Sequence, residues 1–144
     1  MIIEMPEQVV TAITRGDWDT AIANMPYFEM LGLRVTNSDR LQLTMKFHPG
    51  LIGNPTIPAL HGGAIAGFLE ATGAAKVLKL RPSCFPDTIN HTVNYLAPGK
   101  PQDILGEGQI IKVGKRIVVI DVIAWQEDFN KPIATMRAQY RLNN

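Results

Sequence analysis

The sequence predicts an α+β fold in which an antiparallel sheet wraps one long helix. Three observations lead to this class: a helical segment and two strand candidates come first, the longest helical candidate spans residues 61–80, and four strand candidates follow it. Strands joined by short turns pair antiparallel, and a single apolar helix among them needs a sheet face to cover it.

Length and composition are those of one folded domain. The chain has 144 residues, of which 46% are hydrophobic and 19% charged. A chain of this length can bury a core without a metal or a disulfide. Cys84 is the only cysteine, which excludes an intrachain disulfide and a cysteine-rich zinc site. We expect a single domain over residues 1–144, with no metal, no cofactor and, at a net charge of +1, no nucleic-acid partner.

No export or membrane segment is expected either. Residues 1–6 lack the basic start and the long apolar core of a signal peptide. No run approaches the roughly 18 apolar residues of a membrane span. Together with the low cysteine content, these features predict a cytoplasmic protein without a membrane partner.

Residues 1–26 are interpreted as an N-terminal helical segment that packs on the domain. Apolar residues recur at helical spacing on both sides of Gly16-Asp17, which marks a break and a cap between two short helices. These apolar residues are Val9, Val10, Ile13, Ala21, Ile22 and Met25.

Turn residues bound the strand candidates. The first two candidates span residues 33–35 and 41–47, and the prolines and glycines of residues 49–58 predict an irregular loop. The strands after the long helix are predicted at residues 88–96, 104–113, 116–126 and 132–142. Gly114-Lys115 fits a two-residue hairpin turn with glycine first.

The long helix has an unusual composition. Between Gly62 and Ala75 it is built from small and apolar residues, and Glu70 is the only charged residue in that stretch. A helix that is apolar on all sides is expected to be buried. A buried carboxylate has a raised pKa, which suits a general base near neutral pH. The alternative is that Glu70 reaches solvent or a structural partner at the helix flank.

The start of this helix, His61-Gly62-Gly63, carries a second candidate function. The first N–H groups of a helix lack internal partners, and glycines leave them unshielded. Such donors can form an oxyanion hole, although an ordinary glycine-rich helix start has the same sequence. Gly62 and Glu70 are eight residues apart, or about 12 Å along a helix, too far to act on one carbonyl carbon. A shared site therefore predicts a homodimer in which each subunit supplies one of them.

These residues resemble those of hotdog-fold thioesterases of the phenylacetate-pathway and 4-hydroxybenzoyl-CoA type. The resemblance rests on Asn54, His61-Gly62-Gly63, Glu70 and the segment 88–99, which ends in an aromatic-x-x-Pro pattern. It implies a long central helix wrapped by a curved antiparallel sheet. It also implies metal-free hydrolysis of an acyl-CoA thioester by a homodimer or a dimer of dimers (a homotetramer).

The resemblance further implies a role for each matching residue. Gly62 would donate its backbone N–H to the thioester oxygen, and Asn54 and His61 would hold that carbonyl group or a water molecule. Glu70 of the other subunit would act as general base or as nucleophile. Thr88 matches a position where relatives carry a water-orienting hydroxyl, although a threonine is also ordinary in a strand.

Substrate contacts are expected from three further residues. Gly63 continues the exposed helix start, and Lys115 and Arg116 lie where relatives often bind the nucleotide phosphates. Ala74 replaces a threonine found one turn after the glutamate in some relatives, which argues against the aryl-CoA branch. His91, in an alternating strand, is expected to serve packing. The acyl group itself is left open.

Two other functions fit parts of the sequence. Phe47-His48-Pro49-Gly50 resembles a segment of hotdog dehydratases, although the acid Glu70 lies 22 residues beyond His48. The fold could also serve as a non-catalytic acyl-CoA binding or assembly module. Thiol release from acyl-CoA separates that module from an enzyme.

Overall fold

The computed structural model describes residues 4–142. The two ends of the predicted domain, residues 1–3 and 143–144, lie outside the described residues, as does the first part of the predicted N-terminal segment. The helices are α1 (Glu7–Thr14), α2 (Trp18–Ala23), α3 (Pro26–Met30) and α4 (Gly62–Leu80). The strands are β1 (Leu33–Asn37), β2 (Gln42–Met45), β3 (Ile52–Asn54), β4 (Ile57–Leu60), β5 (Asp87–Tyr95), β6 (Ile104–Val113), β7 (Ile117–Trp125) and β8 (Ala134–Arg141).

A six-stranded antiparallel sheet covers α4, in the strand order β1-β2-β6-β7-β8-β5. Side chains from alternate positions of the central strands, such as Ile120, Met136 and Ala138, are fully or almost fully buried under the helix. Gly106 of β6 leaves room for the ring of Phe68, because an added Cβ would lie 2.7 Å from Cε2 of that ring. The predicted α+β class with a wrapped central helix is confirmed.

The N-terminal helices lie close to where the sequence predicts them. Gly16 has a φ of +75°, which favours glycine and allows the sharp turn between α1 and α2. Asp17 then caps α2 by accepting a hydrogen bond from the Thr20 N–H at 3.2 Å. The short helix α3, which begins at Pro26, is an element that the sequence analysis did not predict.

The prediction of an irregular loop over residues 49–58 is wrong. This segment contains a 3₁₀ turn (Pro49–Leu51) and the hairpin formed by β3 and β4. The tip of the hairpin is held by Asn54, whose side-chain oxygen accepts bonds from the N–H and the hydroxyl of Thr56. Local side-chain bonds of this kind stabilise a turn that hydrophobic periodicity does not reveal.

The turn between β6 and β7 also differs from the prediction. A two-residue turn with glycine first needs a positive φ at that glycine, and among residues 4–142 only Gly16 and Gly32 are glycines of positive φ. Gly114 instead donates its N–H to the carbonyl of Ile117 at 2.8 Å, so Lys115 and Arg116 form the tip.

The two edges of the sheet are covered differently. The edge strand β1 packs against α2 and α3. Strand β5, nine residues long, forms the other edge and exposes Ile89 and Tyr95, 48% and 54% accessible in the single chain. In the described part of the chain, no helix is both long and apolar enough to cross a membrane.

Candidate active site

Glu70 lies near the middle of α4, on a side of the helix that the sheet does not cover. Its side chain is 40% exposed, so the expectation of a buried carboxylate is wrong for the single chain. The reason is that Gly63, Ala66 and Gly67 share this side of the helix with Glu70 and are themselves partly or fully exposed. A surface of small residues with one carboxylate is therefore open to solvent.

His91 on β5 is the ionisable neighbour of Glu70. Its Nε2 atom lies 3.6 Å from Oε2 of Glu70. His91, which was expected to serve packing, instead forms this pair, which the sequence did not predict. The available signal was its period-two spacing with Val93 and Tyr95, which places all three on the strand face toward the helix.

A bulge in β5 brings Thr88 to the same face as His91. The register shifts between Thr88 and Asn90, so that Thr88 pairs with Tyr140 and His91 pairs with Ala138. Both partners are buried on the helix side of the sheet. Without the bulge, positions 88 and 91 would point to opposite faces, because side chains alternate along a strand.

The backbone of α4 is fixed at Glu70 by Tyr140 of β8. The Tyr140 hydroxyl donates a hydrogen bond to the carbonyl oxygen of Glu70 at 2.8 Å. Burial raises the pKa of Tyr140, and the nearby Glu70 charge adds to the shift, so the hydroxyl keeps its proton. Gly73 makes room for it, since an added Cβ would lie 2.6 Å from the hydroxyl oxygen.

At the start of α4, one backbone donor is left free. His61 caps the helix by accepting a hydrogen bond from the Gly63 N–H at 2.8 Å on Nδ1. The N–H of Gly62 makes no hydrogen bond with any other residue of the segment 4–142. The Tyr95 hydroxyl donates to the Gly62 carbonyl at 2.8 Å, on the far side of the Gly62 Cα from the free N–H. The N–H of Gly62, rather than that of Gly63, is therefore available to a ligand.

Asn54 reaches the same end of the helix through the β3–β4 hairpin. The neighbouring Gly53 lies directly against the His61 ring, because an added Cβ would be 2.5 Å from Cδ2 of His61. The predicted site residues thus form two groups. Asn54, His61 and Gly62 lie at the start of α4, whereas Glu70 lies with Thr88 and His91 farther along it.

Lys115 and Arg116, at the tip of the β6–β7 hairpin, are both exposed. The Arg116 carbonyl accepts a bond from the N–H of Leu142, just beyond the end of β8, at 2.6 Å. Because β5 begins beside that end of β8, the two cations lie toward the Thr88 end of β5. Within residues 4–142, no cluster of three or more His, Cys, Asp and Glu side chains could bind a metal.

Comparison with known proteins identifies similar proteins and solved structures. The medium/long-chain acyl-CoA thioesterase YigI of Escherichia coli is 24% identical to this chain, over 74% of this chain and 79% of its own length. A solved structure from Chromobacterium violaceum is 28% identical with a TM-score of 0.76, covering 96% of this chain and 98% of that chain.

The fold extends to more distant proteins. The PaaI protein of Escherichia coli, from the phenylacetic acid degradation operon, has a TM-score of 0.72 at 16% identity. That match covers 95% of this chain and 100% of PaaI, and it bears on the fold alone. The family model described as the thioesterase superfamily matches residues 58–133, which include α4 and strands β5 to β7. This chain therefore belongs to the thioesterase superfamily and has its hotdog fold.

Proposed function

We propose that this protein hydrolyses an acyl-CoA thioester to a carboxylic acid and free coenzyme A, at sites that two copies of the chain complete together. The observation that carries the proposal is the division of the site. The free Gly62 donor and the Glu70 carboxylate belong to one helix, eight residues apart. The name of the similar protein YigI supports coenzyme A as the thiol.

Strand β5 runs along α4 in a way that supports a two-fold arrangement. His91 contacts Glu70, and Tyr95 contacts Gly62. The strand from His91 to Tyr95 spans about 13 Å, and the helix from Gly62 to Glu70 spans about 12 Å. Because the later strand residue contacts the earlier helix residue, β5 runs antiparallel to α4. The outer edge of β5 has no strand partner among residues 4–142.

Pairing two β5 edges antiparallel would complete the site. The centre of β5 is His91, so a two-fold axis there sets Asp87 opposite Tyr95 of the partner subunit. Because Tyr95 is bonded to Gly62 within each chain, the partner's Gly62 would then lie next to Thr88 and Glu70 of the first subunit. An isologous interface of this kind gives two equivalent sites. Unpaired edges of this length otherwise invite aggregation.

Each group has a role in this proposal. The Gly62 N–H stabilises the negative charge that develops on the thioester oxygen. In one route Glu70 removes a proton from the attacking water, and that proton passes to the sulfur as it leaves as coenzyme A thiol. In the other route Glu70 attacks the carbonyl carbon and expels the thiolate. Water then hydrolyses the mixed anhydride, which releases the acid, restores the Glu70 carboxylate and supplies the proton of the thiol. Thr88 and His91 orient the water or the carboxylate. His61 caps the start of the helix, and Asn54 would hold the thioester carbonyl group or a water molecule beside it.

Lys115 and Arg116 are proposed, on the basis of their charge, to approach the nucleotide phosphates of coenzyme A. Gly63 would line the entrance for the pantetheine arm. No cofactor takes part in the proposed reaction. Assembly into a dimer of dimers and a cytoplasmic location stay predictions. The dehydratase alternative gains no support, because the histidine next to Glu70 is His91, whereas His48 accepts a bond from the Gly50 N–H.

The test is thiol release from a series of acyl-CoAs by the wild type and Glu70→Gln. We expect the variant to lose at least about a hundredfold in kcat, as for loss of an acid/base group. Glu127→Gln is the matched control, since Glu127 is an exposed carboxylate whose ion pair is with Lys100. Near-normal turnover by Glu70→Gln would remove Glu70 from the mechanism. Binding of acyl-CoA by the wild type without any thiol release would favour the non-catalytic module.

A further inference from the structure

A cavity of about 560 Å³ lies between the N-terminal segment and α4. Its size falls within the range of pockets that hold small ligands. Its apolar lining comes from both sides, with Met25, Tyr27, Phe28 and Phe85 on one side and Ala71 and Ala74 on the other. Glu70 and Thr88 also line this cavity, which is therefore continuous with the catalytic group.

The wall opposite α4 is held in place by contacts within the chain. The rings of Phe28 and Phe85 meet edge to face, with their centroids 6.1 Å apart. At the other end of the wall, the Met5 N–H donates to the Ser83 carbonyl at 3.2 Å. The cavity is therefore a built feature of the fold and does not depend on a ligand to keep it open.

We infer that this cavity takes the alkyl chain of the acyl group, and that the N-terminal segment therefore determines acyl-chain selectivity. The inference rests on the proposed function, because it takes Glu70 as the carboxylate that acts at the thioester carbonyl. A carbonyl carbon held at Glu70 has its tail directed into a space lined mainly by methionine, alanine and aromatic side chains. Polar acyl groups are disfavoured on the apolar part of this lining, where their desolvation finds no hydrogen-bond partner. The polar side chains of the lining are Glu4, Asn24, Glu70 and Thr88.

The cavity also points to a chain of medium length or longer. An acetyl group would fill a small part of 560 Å³ and would leave most of the apolar lining in contact with water. Each methylene group that enters the cavity improves binding about fourfold, because apolar surface is removed from water. The substrate class is therefore a fatty acyl thioester of medium length or longer.

Tyr27 lies at the mouth of this cavity. Its hydroxyl contacts α4 at Gly67, one turn before Glu70, where an added Cβ would lie 2.5 Å from the hydroxyl oxygen. Tyr27 lines the cavity and is 48% exposed, so it lies at the boundary between the cavity and solvent. Tyr27 is thus a specificity-determining residue at the point where the alkyl chain enters.

The experiment compares kcat/KM for acetyl-CoA, hexanoyl-CoA and decanoyl-CoA in four proteins. These are the wild type, Ala74→Leu, which fills the cavity from α4, Tyr27→Ala, which opens its mouth, and Met30→Ala. Met30 is the control, because it lies on the same helix as Tyr27, is 67% exposed and is not part of the lining. Thermal unfolding checks that each variant is folded.

We expect Ala74→Leu to lower kcat/KM for decanoyl-CoA at least tenfold and to change that for acetyl-CoA less than twofold. In Tyr27→Ala, kcat/KM should vary less with chain length than in the wild type. In Met30→Ala, it should vary as in the wild type. If kcat/KM depended on chain length in the same way in all four proteins, and hydrolysis still required Glu70, this inference would be overturned and the proposed function would stand.

A second measurement does not need turnover. Decanoate binding by calorimetry should be clear for the wild type and for Met30→Ala, and at least tenfold weaker for Ala74→Leu. If the wild type bound decanoate in this way but hydrolysed no acyl-CoA, the cavity would still be the alkyl site and the proposed hydrolysis would fail. Equal decanoate binding by the wild type and a folded Ala74→Leu would overturn the assignment of the cavity.

Discussion

The two halves of helix α4 have similar composition and different surroundings. In the second half, residues 71–75 and then Val77 and Leu78 are buried, and Ala71 and Ala74 among them also line the cavity beside the N-terminal segment. In the first half, only Ile65, Phe68 and Leu69 are buried, and the opposite side of the helix is open. The small residues thus allow close packing in one half and access to Glu70 in the other.

This difference explains why one helix can carry both the core and the candidate site. The enclosed half holds the helix in place through contacts such as that of Tyr140 with Gly73. The open half then presents its free N–H group and its carboxylate at fixed positions. Groups mounted on a rigid element are held more accurately than groups on loops.

The largest expected effect concerns the open half, and it tests whether that half is shared between subunits. Glu70→Gln and Asn54→Ala chains are each expected to be nearly inactive alone. Random mixing of two such chains makes about half of the dimers mixed, and each mixed dimer has one undamaged site, so about a quarter of wild-type activity should return. Thiol release after subunit exchange measures this. If verified mixed dimers recovered no activity, each site would belong to a single chain.

The next prediction compares two glycines, one in each half of α4, that each lie against a tyrosine hydroxyl. An added Cβ would lie 2.6 Å from the Tyr140 oxygen at Gly73 and 2.5 Å from the Tyr27 oxygen at Gly67. Tyr140 is fully buried and has no room to move, whereas Tyr27 is 48% exposed.

We therefore expect Gly73→Ala to lower the free energy of unfolding by about 1–3 kcal/mol through overpacking. Gly67→Ala should change it by less than about 0.5 kcal/mol, because Tyr27 can swing outward and alanine favours the helix. Urea denaturation of both variants measures these changes in the free energy of unfolding. Equal losses in the two variants would contradict the comparison.

A smaller effect than that of Gly73→Ala is expected for the hydrogen bond that joins Tyr140 of the sheet to the Glu70 carbonyl, where the two halves of α4 meet. Tyr140→Phe removes one hydrogen bond to the Glu70 carbonyl and should cost about 1 kcal/mol of unfolding free energy. Activity should fall by a few fold through kcat, with KM unchanged, because the bond positions Glu70 and does not contact substrate.

The pH dependence of stability offers a specific sign for Tyr140. Its pKa is raised on folding, so the folded protein holds a proton that the unfolded chain releases above about pH 10. This stabilisation is fully present below that pH and is lost as the pH rises further. The wild type should therefore lose more stability than Tyr140→Phe between pH 9 and pH 11 in denaturant titrations. Identical slopes would mean that Tyr140 ionises as readily in the folded protein.

Some parts of the candidate site could be found from the sequence because their signal is local. Glu70 stands out as a single charge among small and apolar residues, and the glycines after His61 mark a helix start with free donors. The distance between Gly62 and Glu70 follows from helix geometry alone. Other parts have no local signal. The bond of Tyr140 to Glu70 joins residues 70 positions apart, and that of Tyr95 to Gly62 joins residues 33 positions apart.

The sequence by itself determined the fold class, the long helix, six of the eight described strands and the position of a lone carboxylate on that helix. Hydrophobic periodicity and composition record which residues are apolar and at what spacing, and these properties decide such features. Only the tertiary structure decided that His91 and Thr88 face Glu70, because one extra residue in β5 reverses the alternation of side chains. It also decided that the N-terminal segment closes an apolar cavity beside Glu70. Both outcomes depend on how distant segments pack, which the spacing of residues along the chain does not encode.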